Sequence, residues 1–180
     1  DIEPETYNMD PNLVEEAISH KTKAILCVHQ MGMPCDLNTI LKIAKQYSLP
    51  VIEDAACAVG SEIKLENKWE KIGKPHGDIA CFSFHPRKLI TTGDGGMITT
   101  NNSEFDERIR LWRQHSMSIS DSVRHRSNRV KFENHLELGY NYRLTDIQAA
   151  VGRVQLKRLK IIIEKRRSLA SKYFELFNNL

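Results

Sequence analysis

The sequence has no CxxC pair and no short cysteine–histidine spacing, since Cys27, Cys35, Cys57 and Cys81 are scattered along the chain. A disulfide framework and a metal site are therefore not expected, and a reducing cytoplasm is the natural location. No apolar run approaches the ~20 residues of a membrane span, and no signal-peptide pattern opens the chain. Excess charge is missing as well: 26 Lys and Arg are interspersed with 23 Asp and Glu, a formal net charge of +3. That balance argues against a dedicated nucleic-acid or polyanion surface. Internal repeats and low-complexity tracts are also absent. What remains is 180 residues, 41% hydrophobic, enough to bury the core of one domain or of a piece of a larger one. The chain opens without a methionine and stops at Leu180 inside a helical pattern, so a segment of something longer is expected.

Taken in order, Asp10-Pro11 is a helix start, an aspartate cap followed by a residue preset for the first turn. Leu13, Val14, Ala17 and Ile18 then share one helical face. Lys23 to His29 is nearly continuous in apolar residues, as in a strand covered on both faces of a parallel sheet. After the MGMP loop, Asp36 caps a helix with apolar positions Leu37, Ile40, Leu41, Ile43, Ala44 and Tyr47. PVIEDAA is a second buried strand. Ser61 to Asp78 is a polar surface excursion, Ile79 to Phe84 a third strand, and Gly96 to Thr100 a short fourth. Ser103 opens a helix carrying Phe105, Ile109, Leu111 and Trp112. Ser116 to Leu136 has no periodicity and is expected to be a long mobile loop. Thr145 with Gln148 forms a capping box for a long helix whose buried stripe is expected at Ile147, Ala150, Val151 and Val154. Helices alternating with strands predict right-handed crossovers around a parallel sheet, an α/β fold with ligands at the carboxyl ends of the strands.

Three polar residues fall at strand ends or sharp turns. Lys88 lies in CFSFHPRKLITTGDGG, between Pro86 and Leu89-Ile90 and ahead of a glycine-rich turn. Burial in low dielectric disfavours an ammonium, so a lysine so placed can act as an amine nucleophile toward a carbonyl. A solvated surface lysine is the plainer alternative. Asp54 ends the second strand, where a carboxylate needs a cation to offset its burial. Ser83 is either a phosphate-binding hydroxyl or an ordinary strand serine. Gly93, Gly95 and Gly96 either present backbone N–H groups to a ligand or make an ordinary tight turn.

The blocks VHQMGMPCDL, VIEDAACAVGSE, DIACFSFHPRKLITTGDGGMITT and GYNYRLTDIQAAVGRVQLKRL occur in one order and span roughly residues 20 to 160. Together they resemble the DegT/DnrJ/EryC1/StrS family of pyridoxal-phosphate-dependent sugar aminotransferases. The resemblance implies an aspartate-aminotransferase-like (type I) fold, in which these 180 residues are the central part of the cofactor-binding large domain. That domain would be incomplete at both ends and run toward a small C-terminal domain. It also implies pyridoxal 5'-phosphate as cofactor and a homodimer with shared sites. The implied reaction moves an amino group, from glutamate, to a nucleotide-linked keto-sugar in amino-sugar and polysaccharide biosynthesis. Lys88 matches the lysine that forms the internal aldimine and moves protons. Asp54 matches the carboxylate that keeps the pyridine nitrogen protonated. Ser83 matches a phosphate-binding hydroxyl, and Asn141 an asparagine that reaches the neighbouring subunit's cofactor.

Some positions depart from the pattern. Cys57 stands where the family often has Gln or His against the cofactor ring; it is a candidate cofactor contact or a small core residue, and a thiol is the weaker hydrogen-bond partner. His85 replaces an aromatic residue, and Ser116 replaces the glycine of a His-Gly pair after His115. His29 either approaches the cofactor or fills a core position. Arg124, Arg126 and Arg129 hold a nucleotide diphosphate or simply make a solvated basic loop. A dehydratase branch of the family has histidine for the lysine, against which Lys88 argues. A non-catalytic sensor on the same fold is the rival from another class.

Overall fold

The computed structural model describes residues 1–119, 121–130 and 132–178. A 3-10 turn, Pro11–Leu13, leads into the short helix α1, Val14–Ala17, and Asp10 caps the turn by accepting the Asn12 N–H at 2.9 Å. Strand β1 is Ile25–Val28, helix α2 Leu37–Gln46 and strand β2 Val51–Asp54. A hairpin of β3, Glu62–Leu65, and β4, Lys68–Lys71, follows. The chain continues with β5, Ile79–Ser83; β6, Gly96–Thr99; α3, Ser103–Trp112; α4, Asp121–His125; and the 32-residue α5, Asp146–Phe177.

The main sheet has the order β1-β2-β5-β6; the first three strands are parallel and β6 is antiparallel. Cys27, Glu53, Ala80 and Thr99 stand in one row across it. The core lies on that face, where Cys27 and Val51 meet Leu37, Ile40 and Ala44 of α2, all at most 3% exposed. Asp36 starts α2 by accepting the Thr39 N–H at 3.1 Å. Residues as well covered as Leu37 and Ile40 cost about 2–5 kcal/mol when truncated to alanine.

Several expectations need correcting. Among the described residues β1 is well covered on one face, while on the other Leu26 and Val28 are 53% and 37% exposed. Four consecutive apolar residues carry no information about which face is covered. The excursion 61–78 contains a hairpin, turned through Glu66 and Asn67 at φ 47° and 67°, the left-handed pair that right-twisted strands favour. The described residues of 116–136 are tied together at the segment's two ends: Met117 bridges His135, and Ser118 N–H donates to Asn134 O at 2.9 Å. Within it α4 forms, and Arg124 pairs with Glu133 at 2.8 Å.

The capping box at Thr145 and Gln148 is present, but the stripe below it is not the expected one. Ile147 is 79% exposed and Val154 58%, and Ala150 and Val151 are exposed too. The helix instead turns Gln148, Gly152, Leu159 and Ile163 to the domain. A Cβ on Gly152 would stand 3.0 Å from Thr92, and one on Gly60 (φ +86°) would stand 2.3 Å from Ile163. A long helix with apolar residues on several faces leaves its docking side undetermined by periodicity. Among the described residues no helix is long and apolar enough to cross a membrane.

Candidate active site

The carboxyl ends of β2 and β5 lie side by side, with Asp54 opposite Cys81 and Ala55 N–H donating to Cys81 O at 2.9 Å. After β2 the chain turns at once. Asp54 Oδ1 accepts the Ala56 N–H at 3.0 Å, and Ala58 N–H donates to Ala55 O at 2.8 Å. This turn presents Cys57 to solvent, with its carbonyl against Gly32; at φ +91°, a Cβ there would stand 2.9 Å from that oxygen.

β5 feeds a second loop. Pro86 follows His85 in a turn closed by Lys88 N–H on His85 O at 2.9 Å, a position where the fixed φ of proline fits. The loop then folds back over Phe84, whose carbonyl accepts both Thr92 N–H (3.1 Å) and Thr91 Oγ1 (2.8 Å), and whose N–H donates to Gly95 O at 2.8 Å. Gly95 has φ +141°, and a Cβ there would stand 2.8 Å from both Leu144 and Thr92. Gln148 of α5 donates to Asp94 O at 3.0 Å, so the long helix braces the glycine turn.

The two loops meet at one contact: Lys88 Nζ lies 3.0 Å from Cys57 Sγ, with the lysine half-buried. Ser83, also half-buried, accepts the His85 N–H at 3.3 Å and keeps its own proton to donate. Burial pushes the Cys81 thiol up, with the Asp54 charge adding to the effect, which records a carboxylate close to that strand end. Asp54, Cys57, Ser83 and Lys88 thus gather at the ends of neighbouring strands. Asn141 is apart from them. It is exposed, bridges Gln114 through its backbone and accepts Arg143 Nε at 3.2 Å; among the described residues no hydrogen bond joins it to the other four.

A buried polar cluster sits on the opposite face of β2. Glu53, at 0% exposure, accepts His29 Nε2 at 3.0 Å on one oxygen, and Gly77 N–H (2.7 Å) and His76 N–H (3.2 Å) on the other. His29 Nδ1 accepts the Cys35 N–H at 3.2 Å, which leaves the proton on Nε2 and the ring neutral. His29 is therefore a core residue. Glu53 was missed in the sequence, although alternation along Val51-Ile52-Glu53-Asp54 places Val51 and Glu53 together. His85 is exposed and accepts the Arg87 N–H at 3.3 Å. Ser116, fully buried at φ +52°, takes the conformation that glycine adopts most easily, as the family's His-Gly pair implies.

Residues 1–180 match the model of the DegT/DnrJ/EryC1/StrS aminotransferase family over their whole length. The chain belongs to this family. It is 46% identical over 180 residues to uncharacterized protein MJ1066 of Methanocaldococcus jannaschii, covering 45% of that protein. GDP-perosamine synthase of Escherichia coli O157:H7 is 39% identical over all of this chain, again with 45% of its own length covered. The structure of Helicobacter pylori PseC, an aminotransferase involved in pseudoaminic acid biosynthesis, superposes with a TM-score of 0.82 at 34% identity. That likeness covers 97% of this chain and 44% of PseC. The chain thus spans less than half the length of the DegT/DnrJ/EryC1/StrS relatives it matches. Its sheet and flanking helices have the fold of the corresponding part of these sugar aminotransferases.

Proposed function

We propose that the chain is the central part of the cofactor-binding large domain of a pyridoxal-phosphate-dependent aminotransferase. The whole protein would move an amino group from glutamate to a nucleotide-linked keto-sugar. The observation that carries this reading is the Lys88–Cys57 contact, which holds a half-buried amine at the strand ends beside the turn that Asp54 opens. Family membership and the sugar-aminotransferase relatives support the reaction class.

The donor set suits the cofactor. Lys88 offers an amine to an aldehyde, Ser83 a hydroxyl proton to a phosphate, and Asp54 an oxygen, Oδ2, without a protein partner among the described residues. A carboxylate in that position is matched to a protonated ring nitrogen, and Cys57 lines the same edge. When bound, pyridoxal phosphate supplies an electron sink that lets the bond to an α-proton be broken. Lys88 holds and returns that proton, and Asp54 keeps the charge of the ring nitrogen in place. Asn141, lacking a local role at these strand ends, serves the neighbouring subunit's site in a homodimer. Four cysteines free of disulfides suit a cytoplasmic location.

The test uses the full-length protein with glutamate and a panel of nucleotide keto-sugars. The reading expects a visible absorbance band from the bound cofactor and glutamate-dependent amination, both lost in Lys88→Ala. A variant that keeps the band and the turnover overturns it; a band without amination of any sugar favours a ligand sensor.

A further inference from the structure

The four thiols of the chain stand in different surroundings. Cys27 and Cys35 are 0% and 1% exposed, and the hydrogen bond to Cys27, together with burial, pushes the Cys35 thiol up. Cys81 is half-buried, and burial with the Asp54 charge pushes it up as well. Cys57 is the exposed one, and it is held 3.0 Å from the Nζ of Lys88. That separation falls in the range at which two atoms are poised to react, about 3–3.5 Å. Both partners are anchored: Cys57 by the turn that Asp54 caps, Lys88 by the His85 turn and a loop braced from α5.

We propose that Cys57 and Lys88 form a peroxide-responsive covalent couple, in which oxidised Cys57 is captured by the Lys88 amine as a reversible sulfenamide cross-link. In the first step the Cys57 sulfur attacks hydrogen peroxide. The O–O bond breaks, water leaves, and a sulfenic acid remains; sulfur has lost two electrons and the peroxide has gained them. In the second step the lone pair of Lys88 Nζ attacks that sulfur and the S–O bond breaks. The departing hydroxide takes a proton from nitrogen and leaves as water, so no electrons change hands. The protein ends two hydrogens lighter. A small thiol attacks the sulfur and releases the amine as a mixed disulfide forms; a second thiol then displaces Cys57 from it, and the two small thiols leave as their own disulfide. On the reading of Lys88 given above, the cross-link removes the amine that the cofactor needs, and so switches the site off while it lasts.

The experiment treats full-length protein, stripped of cofactor, with one equivalent of hydrogen peroxide and maps its peptides by mass. The couple predicts a joined pair of peptides containing residues 57 and 88, two hydrogens lighter than their sum. It should be released by dithiothreitol and absent from Cys57→Ser and from Lys88→Arg. Cys57 recovered as sulfinic acid, or bonded to another cysteine, with Lys88 free overturns the proposal even if the cofactor band is normal. A second arm adds pyridoxal phosphate before peroxide. Protection supports both the couple and the cofactor role of Lys88; undiminished cross-linking supports the couple and overturns that role.

Discussion

The two faces of β2 give adjacent carboxylates different surroundings. Glu53 is wholly covered, and its two oxygens receive three N–H groups, from His29, His76 and Gly77. Asp54, one residue on, is half-buried, and among the described residues its carboxylate receives the N–H of Ala56 alone. The strand pleat, which sends successive side chains to opposite faces, is the whole cause of the difference. On the core face the polar groups are paired to one another and hold β1, β2 and the segment before β5 in register. On the open face the amine, carboxylate and hydroxyl gathered at the strand ends retain capacity for a ligand. An acidic residue in a strand is thus read by its face before its identity.

The comparison breaks most visibly at Lys88. Replacement by alanine is expected to abolish the cofactor band and amination while leaving urea unfolding of the full-length protein within about 1 kcal/mol of the parent. On the core face the order reverses. Glu53→Ala leaves the Nε2–H of His29 and two backbone N–H groups buried without an acceptor, and is expected to cost about 3 kcal/mol or more in the same unfolding measurement.

Amide substitutions sharpen the contrast, since the two changes are chemically the same. Glu53→Gln turns one acceptor into a donor that must face an N–H, and His29 cannot relieve the clash because its Nδ1 is already receiving Cys35 N–H. We expect a loss of about 1–3 kcal/mol. Asp54→Asn keeps an oxygen for Ala56 and is expected to shift unfolding by less than about 1 kcal/mol, yet to weaken cofactor retention measured by equilibrium dialysis.

Smaller still is Gln148→Ala, which removes one side of the capping box and the bond to Asp94 O; about 1 kcal/mol is expected. Least is the surface pair on α3. The Arg110 guanidinium, through its hydrogen bond, holds the Asp106 carboxyl below the usual range. The pair therefore adds stability above the ordinary aspartate value and loses it as pH falls through the lowered one. A carboxyl titration by NMR should show the Asp106 midpoint rising in Arg110→Gln.

The sequence made the strand ends legible because the chemistry there is local. Asp54, Ser83 and Lys88 each sit where a buried apolar run meets a turn, and Asp36 and Thr145 announce the helices that they cap. What it hid depends on distant partners. The acceptor role of Glu53 needs His29 from β1 and the backbone of residues 76 and 77, and nothing in VIED names them. The docking side of α5 is decided by Gly60 and Thr92, far away in the chain, rather than by its own apolar residues. The hairpin after Ser61 is hidden by its polarity, because its two strands form a separate sheet in which β3 turns Ile63 and Leu65 to the core while β4 is mostly exposed.

The most direct test of the open face is to load the full-length protein with pyridoxal phosphate, reduce it with borohydride and map which lysine carries the cofactor. The account predicts the added mass at Lys88 in the parent protein and none in Lys88→Ala. Cofactor fixed to a different lysine, or a parent protein that retains none, would contradict it.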